Sequence, residues 1–258
     1  MAAQSERVYD FIVCGSGASG GVVASQLAKN PDVQVLLIEA GGDERVPEVS
    51  DSRVWMQNIG SERDWQFCSE PCAALNGRTP PLPMGKVLGG GSSVNGLIWA
   101  RGHRNDFDSW AKAADDPGWR YEAVLEVYKR IERWDGPVDA ARRGSEGPFY
   151  LTQPKNPNPV ALALREAADA LGISAVEDLN GEAMEGAGAG GIPNVPVLGD
   201  SERVSVATAY IRPRMAQSNL TVMLNACVEQ VLLTGRRATG LRLRTGGQVI
   251  DVAARYEV

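Results

Sequence analysis

A short run of β-branched and aromatic residues, Val8-Tyr9-Asp10-Phe11-Ile12-Val13-Cys14, breaks off into the glycine cluster Gly15-Ser16-Gly17-Ala18-Ser19-Gly20. Few folds accept that succession. The run has the composition of a buried parallel strand, and Val22, Val23, Ala24, Leu27 and Ala28 then recur at helical spacing. Asn30-Pro31 stops that helix, because proline lacks the amide donor and fixes φ. Val33 to Ile38 is a second buried strand, which predicts a βαβ unit with parallel strands and a right-handed crossover. The expected fold class is α/β, a Rossmann-like domain on a parallel sheet.

Gly15, Gly17 and Gly20 stand where a G-x-G-x-x-G turn needs a sharp bend, close approach to a pyrophosphate, and tight packing of helix on strand. The helix start adds unpaired N–H donors and about half a positive charge. Glu39 closes the second strand 24 residues after Gly15, where a carboxylate accepts from ribose hydroxyls and disfavours a 2′-phosphate. A dinucleotide site follows. The βαβ unit alone does not separate FAD from NAD, since both share the ADP half.

The charge balance, 26 basic against 32 acidic residues, argues against nucleic acid and for a small-molecule ligand. No stretch has the about 18 consecutive apolar residues of a spanning helix, and residues 1–7 lack a secretory pattern, so a cytoplasmic setting without a membrane partner is expected. The four cysteines, Cys14, Cys68, Cys72 and Cys227, are too scattered for a disulfide scaffold and read as reduced thiols. Cys68-x-x-x-Cys72 is not completed into a metal site, because the only histidine is His103.

Prolines 47, 71, 80, 81 and 83 break up the segment after Gly41, which suits a lid or an extended connection. Helical periodicity returns over Asp106 to Ala114 and Arg120 to Trp134. A composition shift at Gly144 to Pro148, followed by the strand-like Phe149-Tyr150-Leu151, marks a domain boundary. Pro159 to Leu171 reads as a helix closed by Gly172, and Gly181 to Gly191 as a flexible loop. Leu220 to Val222, Val228 to Leu233 and Leu241 to Leu243 are strands of a β-meander, with turns at Gly235 and at Gly246-Gly247. The tryptophans 55, 65, 99, 110, 119 and 134 have no regular spacing and are core or lid candidates.

A second motif, Gly85-Lys86-Val87-Leu88-Gly89-Gly90-Gly91-Ser92-Ser93-Val94-Asn95-Gly96, exposes backbone donors to an anionic or carbonyl-rich ligand. With Gly15 to Gly20 and Glu39-Ala40-Gly41, this stretch and its continuation through Trp99, Gly102 and Asp108 closely resemble the glucose-methanol-choline (GMC) oxidoreductase family. Ala207 to Pro213, Asn219 to Val222 and Val228 resemble the region where that family's chain returns to its flavin domain.

The resemblance implies FAD, with Gly15 to Gly20 and especially Ala18 and Ser19 at the pyrophosphate, Glu39 and Ala40 at the ribose, and Val228 against adenine. Gly91, Asn95, Gly96 and Ile98 would line the isoalloxazine side, and Val94, where some relatives carry a histidine, implies a noncovalent flavin. It implies three segments: 6–148 as the first part of an FAD-binding domain, 149–215 as the beginning of a substrate-binding domain, and 216–258 as the return. The implied activity is oxidation of a small alcohol to an aldehyde or ketone by hydride transfer to flavin N5. In such enzymes a histidine of the C-terminal half takes the alcohol proton, and His103 is a packed or loop residue instead. No catalytic residue is therefore assigned within this chain. It is expected to be half of such an enzyme, completed by a missing C-terminal half or a second chain. A lyase with structural FAD, of the hydroxynitrile lyase kind, and a noncatalytic FAD-binding subunit are the alternatives.

Overall fold

Strand β1 (Val8–Cys14) forms from the β-branched run and is followed by α1 (Gly20–Leu27) and β2 (Val35–Ile38), every residue of which is buried. The computed structural model describes residues 8–185 and 189–258. Further along come α2 (Pro47–Ser50), β3 (Phe67–Cys68), β4 (Pro81–Leu82), α3 (Arg104–Ala114), α4 (Tyr121–Ile131), β5 (Glu132–Asp135), β6 (Phe149–Thr152) and α5 (Pro159–Ala170). The remaining strands are β7 (Val197–Leu198), β8 (Glu202–Arg203), β9 (Leu220–Met223), β10 (Ala226–Thr234), β11 (Arg237–Thr245) and β12 (Gln248–Glu257).

These residues divide into two units, 8–96 with 205–258, and 97–185 with 189–204, a division that differs from the expected boundaries at 148 and 215. The first unit holds a six-stranded sheet in the order β10-β11-β12-β1-β2-β9. Strands β12, β1, β2 and β9 run parallel, whereas β10, β11 and β12 form the antiparallel meander. One face of this sheet buries Tyr9, Ile12, Leu36 and Ile38 against Ala226, Leu241, Leu243 and Val252. No strand signal marks residues 248–254 of β12, which alternate small, charged and apolar residues without a long apolar run. That strand nevertheless joins the meander to β1, pairing Val8 with Ala253.

In the second unit α3 is capped by His103, whose Nδ1 accepts from the Asn105 N–H at 3.1 Å, while the Asp106 carboxylate accepts from the His103 N–H at 3.3 Å. The helix expected to run on to Trp134 ends at Ile131, and residues 132–135 are strand β5, parallel to β6. Glu132 is the reason. Fully buried, it takes a two-point grip from Arg101 at 3.0 and 2.6 Å and a third bond from the Trp99 indole at 3.0 Å. Of the expected flexible loop, residues 186–188 lie outside the described residues, as do residues 1–7. Glu182–Glu185 form a single tight turn, and Gly190 bridges Ala175.

Candidate functional site

The turn from β1 to α1 is built as its glycines demand. Gly15 has φ +90°, and a Cβ on Gly20 would lie 2.0 Å from the Gly15 carbonyl oxygen, so helix and strand meet without a side chain between them. Space opens instead at Gly15 and Gly17, where an added Cβ would meet nothing within 4 Å. Ala18 and Ser19 lead into the first turn of α1, where the Gly21 and Val23 N–H groups donate to the Gly17 and Ser19 carbonyls, both at 2.9 Å.

Ser16 and Glu39 are buried together. Oε2 of Glu39 accepts from the Ser16 N–H at 3.0 Å and from its hydroxyl at 2.6 Å, and Oε1 accepts from the Gly41 N–H at 2.9 Å. The same Ser16 hydroxyl accepts from the Gly89 N–H at 3.0 Å. One hydroxyl thus ties together the glycine turn, the acidic strand end and the second glycine motif, which lie 73 residues apart at their extremes. Leu88 N–H also donates to the Gly42 carbonyl at 2.9 Å, and Ser92 Oγ accepts from the Val206 N–H at 3.0 Å.

These elements surround a cavity of about 770 Å³ within the first unit. Of the residues singled out from sequence, Gly15, Gly17, Glu39, Ala40, Gly91, Asn95 and Val228 line it. Ser16 does not line it but braces its wall, and Gly20 serves packing. Gly96 lies against Trp55, 3.4 Å from where its Cβ would be, and Ile98 belongs to the other unit, where it is exposed. Trp55, Asn58, Asp64, Trp65 and Met84 complete the wall from the proline-broken segment. Of these the sequence marked only Trp55 and Trp65, as core or lid candidates; Asn58, Asp64 and Met84 carried no signal, because the segment has no periodicity.

Two thiols, Cys14 and Cys227, also face the cavity. Desolvation in the cavity wall, followed by the Glu39 charge and by Cys227, pushes the Cys14 thiol up. Behind the site, Arg212 grips Glu44 with Nε at 2.8 Å and Nη2 at 2.6 Å and reaches Asp43 at 2.6 Å, tying residues 207–214 to the turn after Gly42. Glu44 is buried, and no sequence signal joined it to an arginine 168 residues away. Among the described residues no group of three or more His, Cys, Asp or Glu could hold a metal ion. No described helix is long and apolar enough to cross a membrane.

The open space beside Gly17, the donors at the start of α1 and the carboxylate at the end of β2 fit the ADP half of a dinucleotide, and the apolar cavity beyond them gives room for a larger ring system. Fold and site define a dinucleotide-binding α/β protein. The profile of the GMC oxidoreductase family matches residues 9–258, and the chain belongs to that family. It is 35% identical over 250 residues to an oxygen-dependent choline dehydrogenase of Brucella suis, covering 96% of this chain and 44% of that protein. The corresponding enzyme of Photobacterium profundum is 34% identical over 253 residues, 97% of this chain and 44% of that one. Among solved structures, pyridoxine 4-oxidase from Mesorbium loti superposes with a TM-score of 0.88 at 28% identity, over 95% of this chain and 48% of its own. An FAD-dependent oxidoreductase from Chaetomium thermophilum gives 0.83 at 26%, over 96% of this chain and 44% of its own. The chain spans about half the length of these relatives.

Proposed function

We propose that the cavity of the first unit binds FAD and that the protein takes part in oxidising a small alcohol to an aldehyde or ketone. The observation that carries this is the Ser16 hydroxyl, which holds the pyrophosphate turn, the ribose carboxylate and the second glycine motif around one apolar cavity. Within the turn Gly15 to Gly20 the Gly15 and Ser16 N–H groups are taken by Ile38 and Glu39, so Gly17, Ala18 and Ser19 offer the backbone donors to the diphosphate, while Glu39 and Ala40 meet the ribose and Val228 packs on the adenine. Gly91 and Asn95 hold the isoalloxazine end, and Gly96 and Ile98 belong to the same stretch. Bound FAD supplies the acceptor for a hydride leaving the alcohol carbon. What these residues do is bind, orient and keep water from that acceptor, with Trp55, Trp65 and Met84 as apolar wall.

His103 does not serve as the base, since its Nδ1 is engaged in capping α3. The alcohol proton therefore goes to a group outside this chain, on a C-terminal half or a partner chain. The relatives named as choline dehydrogenases and the pyridoxine oxidase support an alcohol as substrate class. The free cysteines suit a reducing, cytoplasmic setting. The engaged His103 also favours a second reading, a subunit that binds FAD without turnover. Titration of the chain with FAD, followed by calorimetry and by the shift of the flavin visible bands, tests the binding. Absence of saturable binding defeats it. Adding a C-terminal partner and then an alcohol under anaerobic conditions separates the readings, because only the oxidoreductase bleaches the flavin.

A further inference from the structure

Asp64 is a cavity-lining carboxylate that the proposed chemistry leaves unused. It is 7% exposed and, among the described residues, forms no ion pair: its neighbours in sequence, Glu62 and Arg63, pair with each other, Arg63 also approaches Glu48, and Lys86 lies over the Trp65 ring. Its partners are backbone. Oδ2 accepts from the Gly60 N–H at 2.9 Å, and Oδ1 accepts from Gln66 at 3.0 Å and from Met84 at 2.9 Å. One carboxylate therefore binds a loop and both strands of the hairpin that carries β3 and β4. The Gln66 contact also holds a non-glycine residue at φ +55°, a conformation it would not keep by itself.

From Asp64 the packing runs straight to the pyrophosphate turn. Asp64 bridges Gly85. A Cβ on Gly85 would lie 2.4 Å from the Gly90 backbone, and one on Gly90 would lie 2.7 Å from the Gly17 Cα. Backbone rests on backbone at each step, so the hairpin cannot shift without moving the loop that faces the diphosphate. Trp65, next in sequence, is held by its N–H to the Met84 carbonyl at 2.9 Å and stacks on Phe67 at 5.6 Å.

We infer that Asp64 is a positioning residue for cofactor retention, pinning the wall that carries Trp65 and Met84 so that its three backbone hydrogen bonds set the rate at which FAD leaves. The inference rests on the FAD reading above. In Asp64→Asn the amide oxygen keeps the Gln66 and Met84 donors, but its NH2 faces the Gly60 N–H; Asp64→Ala loses all three contacts. FAD release, followed after dilution into a flavin trap, accelerates roughly 3–10-fold in Asp64→Asn, the worth of one such bond, and about 30-fold or more in Asp64→Ala, while association changes little. In a Trp55→Phe background, quenching of tryptophan fluorescence by bound FAD falls in the Asp64 variants as Trp65 moves. Hydrogen exchange on the unmodified chain gives a measurement independent of how the variants fold. FAD should slow exchange across residues 60–67 and 80–86, and no slowing there overturns the inference. If the wild-type chain binds FAD and both variants release it at the wild-type rate, Asp64 is not the pin although the FAD reading stands. If the wild-type chain binds no FAD, both fall.

Discussion

Glu39 should carry two loads that one substitution can separate. Its carboxylate has about four lone-pair sites. Three are taken by Ser16 N–H, Ser16 O–H and Gly41 N–H, so one remains on Oε1 for a ribose hydroxyl. Glu39→Ala strands two backbone donors, of which the Ser16 N–H is fully buried, at about 1–3 kcal/mol each. The cofactor-free chain should lose about 2–6 kcal/mol, or roughly 5–20 °C in melting midpoint for a unit of this size. Loss of the ribose bond lowers the free energy of FAD dissociation by about 1.5–3 kcal/mol, a weakening of about 10–150-fold. Glu39→Gln retains an oxygen for Ser16 while turning an NH2 towards Gly41, and should fall between. The assay pairs thermal unfolding of the cofactor-free protein with titration calorimetry of FAD. A melting midpoint in Glu39→Ala within 2 °C of wild type would refute the bracing role, with ~1 kcal/mol as the limit that sets. Unchanged FAD affinity would refute the ribose placement.

Arg212→Gln should destabilise by about 2–4 kcal/mol, because it leaves the buried Glu44 without its partner; a midpoint unchanged at pH 7 would show the grip to be idle. Burial pulls the Asp43 carboxyl up, but hydrogen bonds from Arg45 and Arg212 outweigh it and hold the group well below the usual range. Its contribution to stability is therefore complete above about pH 4 and is lost as pH falls below that, and the melting midpoint of Arg212→Gln should fall less between pH 5 and 3 than that of wild type, which parallel curves would contradict. Acid or heat should release yellow FAD from the loaded protein, since Val94 in the cavity wall offers no nucleophile; colour that stays with the precipitate would overturn this. The FAD-loaded chain mixed anaerobically with primary and secondary alcohols should show no rapid bleaching, and bleaching that survives His103→Ala would reveal a base elsewhere in these 258 residues.

The βαβ unit was legible because its signals are local: β1 is observed as expected, and α1 and β2 differ only at their ends. Two strands of the meander were legible from its glycine turns, with Gly235, Gly246 and Gly247 all at positive φ, but Leu220 to Val222, expected in the meander, instead pairs parallel with β2 at the other edge of the sheet. What the sequence hid depends on contacts between distant residues. Nothing near Gln248 shows that this strand lies beside β1, and nothing near Ile131 shows that Glu132 turns inward to Arg101. Ser16 was singled out as a glycine-turn residue, yet its hydroxyl bridges Glu39 and Gly89, a role only the folded chain assigns. Of the cavity wall, Trp55 and Trp65 were read only as core or lid candidates and Asp64 carried no signal, because irregular backbone leaves no period to read.

The placement of β1 bears on how the protein is made. Of the six strands in this sheet it is synthesised first, and its two neighbours in the sheet arrive at very different times. β2 follows within moments, but β12 is separated from it by nearly the whole chain, with Asp10 bonded to Arg255 across 245 residues. At about 5–20 residues per second, β1 waits roughly 12–50 seconds with one edge bare. A bare apolar strand edge is a template for pairing with other chains. Chaperone demand during synthesis should therefore concentrate on β1, and slow translation between β2 and β12 should lower the yield of folded protein.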